Sequence, residues 1–196
     1  MKKPLLLVAC EYSQRVMTAF LRKGFDAYSC DVIDTIGDYP ERHLKMDARK
    51  AYLLRKWDLV IAHPPCTYLS VTQVLTKGNN PYKDADRYWN MLEARDFFMF
   101  FWLYVNCPFC IENPRPIKLA ALPKESQVVC PTMFGSKFTK RTNLWLKSLP
   151  PLFPTVAKPI ETQSYVKTCH GSHNRSLLDP YLAQAMADQW SPFFFK

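Results

Sequence analysis

The sequence lacks a run of about 18 apolar residues, the length that crosses a bilayer as a helix. The apolar run Pro4–Cys10 is too short for the core of a signal peptide with its cleavage site. The cysteines also lack an even count, being seven in 196 residues, a length that does not need a disulfide scaffold. These absences exclude membrane-spanning and disulfide-stapled classes, and they predict a cytoplasmic protein with free thiols and no membrane association.

Acidic residues are the scarcer charged class, with 17 Asp and Glu against 26 Lys and Arg and a formal net charge of +9. Phosphates attract a basic surface at long range, so nucleic acid or a nucleotide is the leading partner class. A solvated basic surface is the alternative. The length suffices for one well-packed core, which predicts a single domain spanning residues 1–196.

Strand-like and helix-like segments alternate along the chain. We predict strands at Leu5–Ala9, Ala27–Val32, Trp57–Ala62, Phe109–Glu112 and Leu144–Leu146, and helices within Gln14–Arg22, Asp84–Tyr104 and Leu182–Trp190. This order indicates an α/β fold with a doubly wound, mostly parallel sheet, in which ligands collect at the carboxyl ends of the strands. Residues 10–14, 31, 63–70 and 112–114 should therefore lie along one edge.

Two of these strand ends carry reactive groups. Pro64, Pro65 and Cys66 follow one buried strand, and the prolines stiffen a turn that would present the thiol rather than pack it. The alternative is that Cys66 is one more small buried hydrophobe. Glu112 closes the next apolar strand, where a carboxylate is costly unless it has a partner or a task; a structural cap is the alternative.

A cysteine and a carboxylic acid together have a chemical interpretation. Carbon 5 of cytosine becomes nucleophilic when a thiolate adds to carbon 6, and an acid at ring nitrogen 3 supports that addition. Cys66 would be the nucleophile and Glu112 the acid, with a pKa raised by burial so that the carboxyl can donate.

These motifs resemble those of the DNA cytosine-5 methyltransferases. The Pro-Pro-Cys turn with Ser70 and the Glu112-Asn113-Pro114 strand end are similar to the fourth and sixth motifs of that family. The segment 139–146 resembles the eighth motif, with Arg141 at its first arginine and Asn143 at its second. Residues 176–187 resemble the closing cofactor-site motif.

The resemblance implies a Rossmann-like methyltransferase fold, S-adenosyl-L-methionine as cofactor and DNA as the nucleic-acid partner. It assigns catalysis to Cys66, Glu112 and Arg141, cofactor binding to Cys10, Glu11, Asp31, Asp47, Pro64 and Ser176, and substrate binding to Ser70, Asn113 and Lys140. Asp31 would contact the ribose hydroxyls and Asp47 the adenine. Glu112 would contact ring nitrogen 3.

The chain departs from the family pattern in two places. The loop 9–14 contains no glycine where the family loop beside the cofactor is glycine-rich. Only Lys147–Thr168 separates the eighth motif from the terminal ones, which leaves no room for a base-reading region. The chain thus resembles small phage and prophage members. Such a protein would be weakly selective, depend on a protein partner or a second copy for target recognition, or act on a substrate smaller than duplex DNA.

Several alternatives stay open at this point. One is an exocyclic amino-methyltransferase, against which Cys66 argues. Others are the same cytosine chemistry on RNA or a free nucleotide, and a catalytically idle binding or regulatory module. Cys107 and Cys110 have zinc-ligand spacing, with Cys169, His170 and His173 as further ligands, but we expect no metal site.

The polar loop Val71 to Arg87 could close over a substrate base. A basic stripe is expected to flank the pocket; its members are Arg115, Lys118, Lys124, Lys137, Lys140, Arg141 and Lys147.

Overall fold

A seven-stranded sheet forms the frame of the protein in a computed structural model that describes residues 2–76, 80–157, 162–163 and 177–195. The strands are β1 (Leu5–Ala9), β2 (Asp26–Asp31), β3 (His43–Lys45), β4 (Leu59–Ala62), β5 (Phe109–Asn113), β6 (Gln127–Val129) and β7 (Thr142–Lys147). The helices are α1 (Arg15–Arg22), α2 (Ala48–Leu53), α3 (Val71–Thr76), α4 (Ala85–Tyr104) and α5 (Pro180–Trp190).

The strand order is β3-β2-β1-β4-β5-β7-β6. Neighbouring strands from β3 to β5 pair in parallel, whereas β7 runs antiparallel to both β5 and β6. The order reverses at β1, which creates the crevice where doubly wound sheets bind ligands. The predicted fold class, an α/β fold with a doubly wound and mostly parallel, Rossmann-like sheet, is confirmed.

Helices cover both faces of the sheet because the central strands are apolar on both sides. On one face α1 and α5 bury Phe20, Met186 and Trp190 against β1 and β4. On the other face α4 packs Phe98 and Phe101 against the sheet, together with α2. Alternation along the strands divides side chains between these layers, and it sends Cys110 into the first layer and Cys107 into the second.

The register of the central strands aligns their carboxyl ends. Ala9 of β1 lies opposite Cys30 of β2 and Ala62 of β4, and Ala62 lies opposite Ile111 of β5. The residues that follow these positions therefore meet at one edge, as the sequence predicted. Within the described residues, no helix is long and apolar enough to span a membrane.

The differences from the predicted elements concern short segments. The three-residue strands β3 and β6 have too few positions to show an alternation, and the short helix α2 was not predicted. The interval from Val71 to Arg87, predicted as a loop, contains α3 and the first turn of α4, so the prediction of a loop over this whole interval is wrong. Its closing over a substrate base stays a prediction.

Candidate functional site

Cys66 lies in a tight turn after β4. Its carbonyl oxygen accepts hydrogen bonds from the backbone N–H groups of Leu69 (3.1 Å) and Ser70 (3.0 Å). Ser70 then starts α3, where its hydroxyl accepts from the backbone N–H of Gln73 at 3.3 Å. The predicted stiff turn is therefore present. Ser70 is 1% exposed and helps to build the turn, and its predicted contact with substrate remains a prediction.

Glu112 lies at the end of β5, one strand away from the Cys66 turn, and is 9% exposed. One carboxylate oxygen is 3.0 Å from Nδ1 of His63, and the other accepts a hydrogen bond from the hydroxyl of Thr142. Burial raises the pKa of Glu112, but the hydrogen bond and charge of His63, the charge of Lys140 and the Thr142 hydroxyl outweigh it. The pKa of Glu112 is therefore lowered, and the predicted raised pKa is wrong.

The thiol of Cys66 has a raised pKa. Burial is the main cause, and the negative charge of Glu112 adds to it, while Lys140 and a hydrogen bond from Ser70 act in the opposite direction. Glu112 is thus close enough to Cys66 for its charge to influence the ionisation of the thiol. In the resting protein the cysteine is a thiol and the glutamate a carboxylate, so a proton must move before a nucleophile forms.

Asn113 connects β5 to the Pro-Pro-Cys turn. Its side-chain amide donates a hydrogen bond of 2.7 Å to the carbonyl oxygen of Pro64, which fixes the orientation of the amide. The side-chain oxygen of Asn113 is buried and has no hydrogen-bond partner among the described residues. An unmet acceptor at a buried position is costly, and a ligand donor would remove that cost.

Two neighbouring cations lie in different environments. Lys140 is half-buried, donates a hydrogen bond to the carbonyl of Leu177 (3.3 Å), and acts electrostatically on both Cys66 and Glu112. Arg141, the predicted catalytic cation, is exposed. It lines an open groove of about 720 Å³ whose other basic residues are Arg115, Lys118 and Lys124. The cation beside the reactive pair is therefore Lys140.

Most of the predicted basic stripe lies at this groove or at the reactive pair. Lys147 does not, because it pairs with Phe109 at the opposite end of β5. Its placement beside the pocket was wrong, since an antiparallel six-residue strand carries its last residue to the far edge of the sheet. Its ammonium donates to the carbonyl of Val105 at 3.2 Å.

The loop after β1 contains left-handed backbone conformations, which glycine usually adopts, although the loop has no glycine. Cys10 has φ 60° and Gln14 has φ 58°, both in the left-handed region. The carboxylate of Glu11 accepts hydrogen bonds from the backbone N–H groups of Val16 (2.6 Å) and Met17 (3.1 Å), so it caps α1 from a position that is 4% exposed. Burial raises the pKa of Glu11.

Gln14 holds this loop to the segment after β2. Its amide donates to the hydroxyl of Ser29 (3.1 Å) and to the carbonyl of Tyr39 (2.8 Å), and its oxygen accepts from the N–H of Tyr39 (2.9 Å). A Cβ atom at Gly37 would lie 2.4 Å from the Gln14 side chain, so only glycine fits there. These side-chain bonds compensate for the left-handed backbone, a compensation that the sequence alone did not reveal.

The two acids predicted to hold a nucleoside are brought together at this edge. Asp31 and Asp47 both act on the buried thiol of Cys10 and raise its pKa, after burial itself, which is the larger cause. Asp31 accepts from the N–H of Val32 at 2.7 Å and leaves its second oxygen to other donors. Asp47 caps α2, and Arg49 engages both of its oxygens, which lowers its pKa.

These residues fit the nucleoside half of S-adenosylmethionine, because carboxylate oxygens at the carboxyl ends of β2 and β3 are acceptors of the kind that ribose hydroxyls need. Pro64 faces the same edge through the turn that Asn113 holds. Ser176, the remaining predicted cofactor residue, lies outside the described residues, as do Cys169, His170 and His173. The part of the chain that is described contains no group of three or more metal-binding side chains.

His63 was not predicted as a site residue, although it precedes the Pro-Pro-Cys turn. Its backbone N–H donates to the carbonyl of Ala9 (2.9 Å), which holds the ring between β1 and β5. Besides the contact with Glu112, its Nε2 atom is buried and has no partner within the described part of the chain. A cavity of about 20 Å³ lies beside it, lined also by Glu11, Ser13 and Leu178.

Comparisons with known proteins give structural likenesses but no sequence match. No family model matches the sequence, and no protein with a curated description matches it. A solved E. coli structure, described as a candidate DNA modification methyltransferase encoded within a prophage, is similar to 81% of this chain at 14% sequence identity, with a TM-score of 0.48. The aligned region spans 53% of that protein.

Proposed function

We propose that this chain transfers a methyl group from S-adenosylmethionine to carbon 5 of cytosine in DNA, with Cys66 as the covalent nucleophile. The observation that carries the proposal is the pairing of the Cys66 thiol with the Glu112 carboxylate at adjacent strand ends, where the charge of Glu112 acts on the thiol. An idle binding module has no need of this pair.

The chemistry balances with the groups at this edge. Cys66 loses its proton to water, and a lone pair of Sγ forms a bond to carbon 6 while nitrogen 3 gains a proton from the carboxyl group of Glu112. The electron pair released at carbon 5 would take the methyl group that bound S-adenosylmethionine supplies. Carbon 5 then loses its proton to water, the double bond to carbon 6 forms again, and the electron pair of the Sγ–carbon 6 bond returns to Cys66, which takes up a proton from water as nitrogen 3 returns its proton to Glu112.

Asn113 and Lys140 assist this reaction at two places, Asn113 at the cytosine base and Lys140 at the Cys66 thiol. The unmet side-chain oxygen of Asn113 suits the exocyclic amine of cytosine, which is a hydrogen-bond donor next to nitrogen 3. Lys140 favours the thiolate form of Cys66, opposing the effect of Glu112. A uracil ring, which carries a carbonyl in place of the amine, would place two acceptors face to face.

Bound S-adenosylmethionine would supply an electrophilic methyl group. On the protein side, Asp31 would accept from the ribose hydroxyls, and Asp47 would contact the adenine once Arg49 yields. Cys10 and Glu11 form the loop at the end of β1 that borders the same crevice. Ser176 remains a proposal that rests on the sequence.

The basic groove supports nucleic acid as the substrate. Four exposed cations, Arg115, Lys118, Lys124 and Arg141, line it beside Asn143 and next to the end of β5. Such a surface binds phosphates and positions a strand without reading its bases. Target selection would then come from a protein partner or a second copy. The small recognition interval keeps RNA and free cytosine nucleotides as alternative substrates.

Mass spectrometry of nucleosides tests this proposal. Purified protein with S-adenosylmethionine is incubated with duplex DNA, single-stranded DNA, RNA and deoxycytidine nucleotides. We expect 5-methylcytosine in DNA. The same product only in RNA or in the free nucleotide would change the substrate, and N4-methylcytosine would contradict the covalent route. No methylated product on any substrate, although the protein binds the cofactor, would support the idle module.

A further inference from the structure

His63 lies between two buried carboxylates that belong to different parts of the proposed site. On one side its Nδ1 atom is 3.0 Å from Glu112, the proposed proton donor to the base. On the other side His63 lines the cavity of about 20 Å³ that Glu11 also lines, and its Nε2 atom is buried without a partner among the described residues. The electrostatic influence of His63 on both carboxylates agrees with this placement.

The resting state of Glu112 creates a problem that this geometry can solve. Glu112 must give a proton to nitrogen 3, yet hydrogen bonds from two sides hold it as a carboxylate. Thr142 can donate only its hydroxyl hydrogen bond, and Lys140 acts at longer range through its charge. His63 is the one neighbour in direct contact with Glu112, among the described residues, that can exchange a proton near neutral pH.

We propose that His63 is the positioning residue that donates a proton to Glu112 when cytosine binds and accepts a proton from Glu112 when product forms. This inference rests on the proposed function. The proton on Nδ1 of the protonated ring moves to the Glu112 carboxylate, and Glu112 passes a proton on to nitrogen 3 and becomes a carboxylate again. An imidazole that keeps its Nε2 proton is left behind. When the Sγ–carbon 6 bond breaks, the proton returns along the same path, so no net proton is consumed.

The cavity that His63 lines has room for a water that would bind the second ring nitrogen, Nε2. Nε2 has no hydrogen-bond partner among the described residues, and the cavity volume of about 20 Å³ exceeds the roughly 10–15 Å³ that a water needs, so one water between His63 and Glu11 would give an Nε2–H group an acceptor. The titratable groups that bear on His63 and Glu112 are Glu11 from the loop after β1, Lys140 from the segment before β7, Cys66 from the turn after β4, and Cys110 from β5.

A titration that needs no methylation tests the pairing. Glutamate carboxyl carbons labelled with ¹³C are followed against pH by NMR, and Glu112→Gln identifies the resonance. In the wild type, Glu112 should titrate below the ordinary range of a glutamate. In His63→Asn, which keeps an N–H donor but has no exchangeable charge, the midpoint should move to higher pH. His43→Asn is the matched control, because both ring nitrogens of His43 have partners elsewhere, and it should leave the midpoint unchanged.

The rate of methylation then tests the proton donation by His63. His63→Asn should lower the rate constant for methylation by about 10²-fold, the size expected for loss of a proton donor. The alkaline limb of the pH profile should move to lower pH, because a carboxyl alone ordinarily releases its proton at lower pH than an imidazole. A purely structural role would lower the rate without moving that limb.

The outcomes separate the inference from the function. Methylation by the wild type, with an unchanged rate and pH profile in His63→Asn, would overturn the role of His63 and leave the methyltransferase intact. A wild type that methylates nothing would overturn the proposed function, while the Glu112 titration still decides the pairing. If His63→Asn does not fold, ¹⁵N shifts of the wild-type ring decide it: Nδ1 must carry a proton at neutral pH, and an unprotonated Nδ1 would overturn the inference.

Discussion

The two halves of the sheet edge are built differently. At the β1–β2 half, which comprises the ends of β1 and β2 and the start of α2, polar side chains are bonded within the protein: Glu11 caps α1, Gln14 binds Tyr39, and Asp47 is engaged by Arg49. At the ends of β4 and β5, two buried polar atoms have no partner among the described residues, Nε2 of His63 and the side-chain oxygen of Asn113.

This difference indicates what each half needs from a ligand. A ligand at the β1–β2 half must displace hydrogen bonds within the protein, so its affinity is reduced by the free energy of those bonds. A ligand at the β4–β5 half would supply partners that the protein lacks, so it gains energy from atoms that are costly in the empty state. We therefore expect substitutions at the β4–β5 half to change rates strongly and substitutions at the β1–β2 half to change affinities modestly.

The largest effect is expected for Cys66→Ser. A serine hydroxyl is a far weaker nucleophile than a thiolate, so 5-methylcytosine formation should fall below detection in the nucleoside assay. Cys107→Ser makes the same chemical change at the start of β5, on the opposite edge of the sheet, and should keep the wild-type rate. Methylation by Cys66→Ser would contradict this account of the two halves, because the β4–β5 half would then not contain the nucleophile.

The next effect is expected for Glu112→Gln. The amide keeps the shape of the side chain but cannot pass a proton to nitrogen 3, so the rate constant should fall by about 10²-fold or more. Single-turnover measurements at saturating cofactor would isolate this step. A rate within a few-fold of the wild type would show that nitrogen 3 receives its proton elsewhere.

Alkylation of Cys66 provides the control for that variant. Glu112 raises the pKa of the thiol, so Glu112→Gln should let iodoacetamide react with Cys66 at lower pH than in the wild type. Lys140 lowers the same pKa, so Lys140→Ala should shift the reaction to higher pH. Peptide mass spectrometry follows the one cysteine. Shifts in the same direction in both variants would contradict the electrostatic account.

Groove residues should have a smaller and uniform effect. Arg141→Ala should weaken binding to all duplex sequences alike and reduce the slope of log affinity against log salt by about 0.9. Lys147→Ala removes an equal charge at the opposite edge of the sheet and should leave the slope unchanged. A loss confined to one DNA sequence would show that Arg141 reads bases.

The smallest effect is expected at the β1–β2 half. Arg49→Ala frees the Asp47 carboxylate, so calorimetry should show S-adenosylhomocysteine binding more tightly. The gain should not exceed about five-fold, because an exposed ion pair contributes only about 0–1 kcal/mol. Asp47→Asn should weaken binding instead. If neither variant alters the affinity, Asp47 is not part of the cofactor site.

The sequence predicted the parts of this architecture that depend on long patterns. The apolar runs of β1, β4 and β5 and the long helix α4 identified the sheet and its reactive edge, because their periodicity extends over many residues. Cys66 and Glu112 could be paired in advance since both follow strands that a parallel sheet places side by side.

Other features depend on contacts between segments distant in the chain. The lowered pKa of Glu112 results from His63 and Lys140, which lie 49 and 28 positions away from it in the sequence. The left-handed backbone at Gln14 is stabilised by bonds to Ser29 and Tyr39. Residue types and spacing do not encode such partners, so a single sequence predicted the burial of Glu112 but not the sign of its pKa shift.

The most direct test of the central claim is the intact mass of the protein after reaction with DNA that contains 5-fluorocytosine, in the presence of S-adenosylmethionine. Fluorine at carbon 5 prevents loss of the proton that would release the enzyme, so the adduct should persist through denaturation. We expect a covalent protein–DNA complex that proteolysis maps to Cys66 and that is missing in Cys66→Ser. Methyl transfer to ordinary cytosine without any such complex, or a complex mapped to another cysteine, would contradict the account.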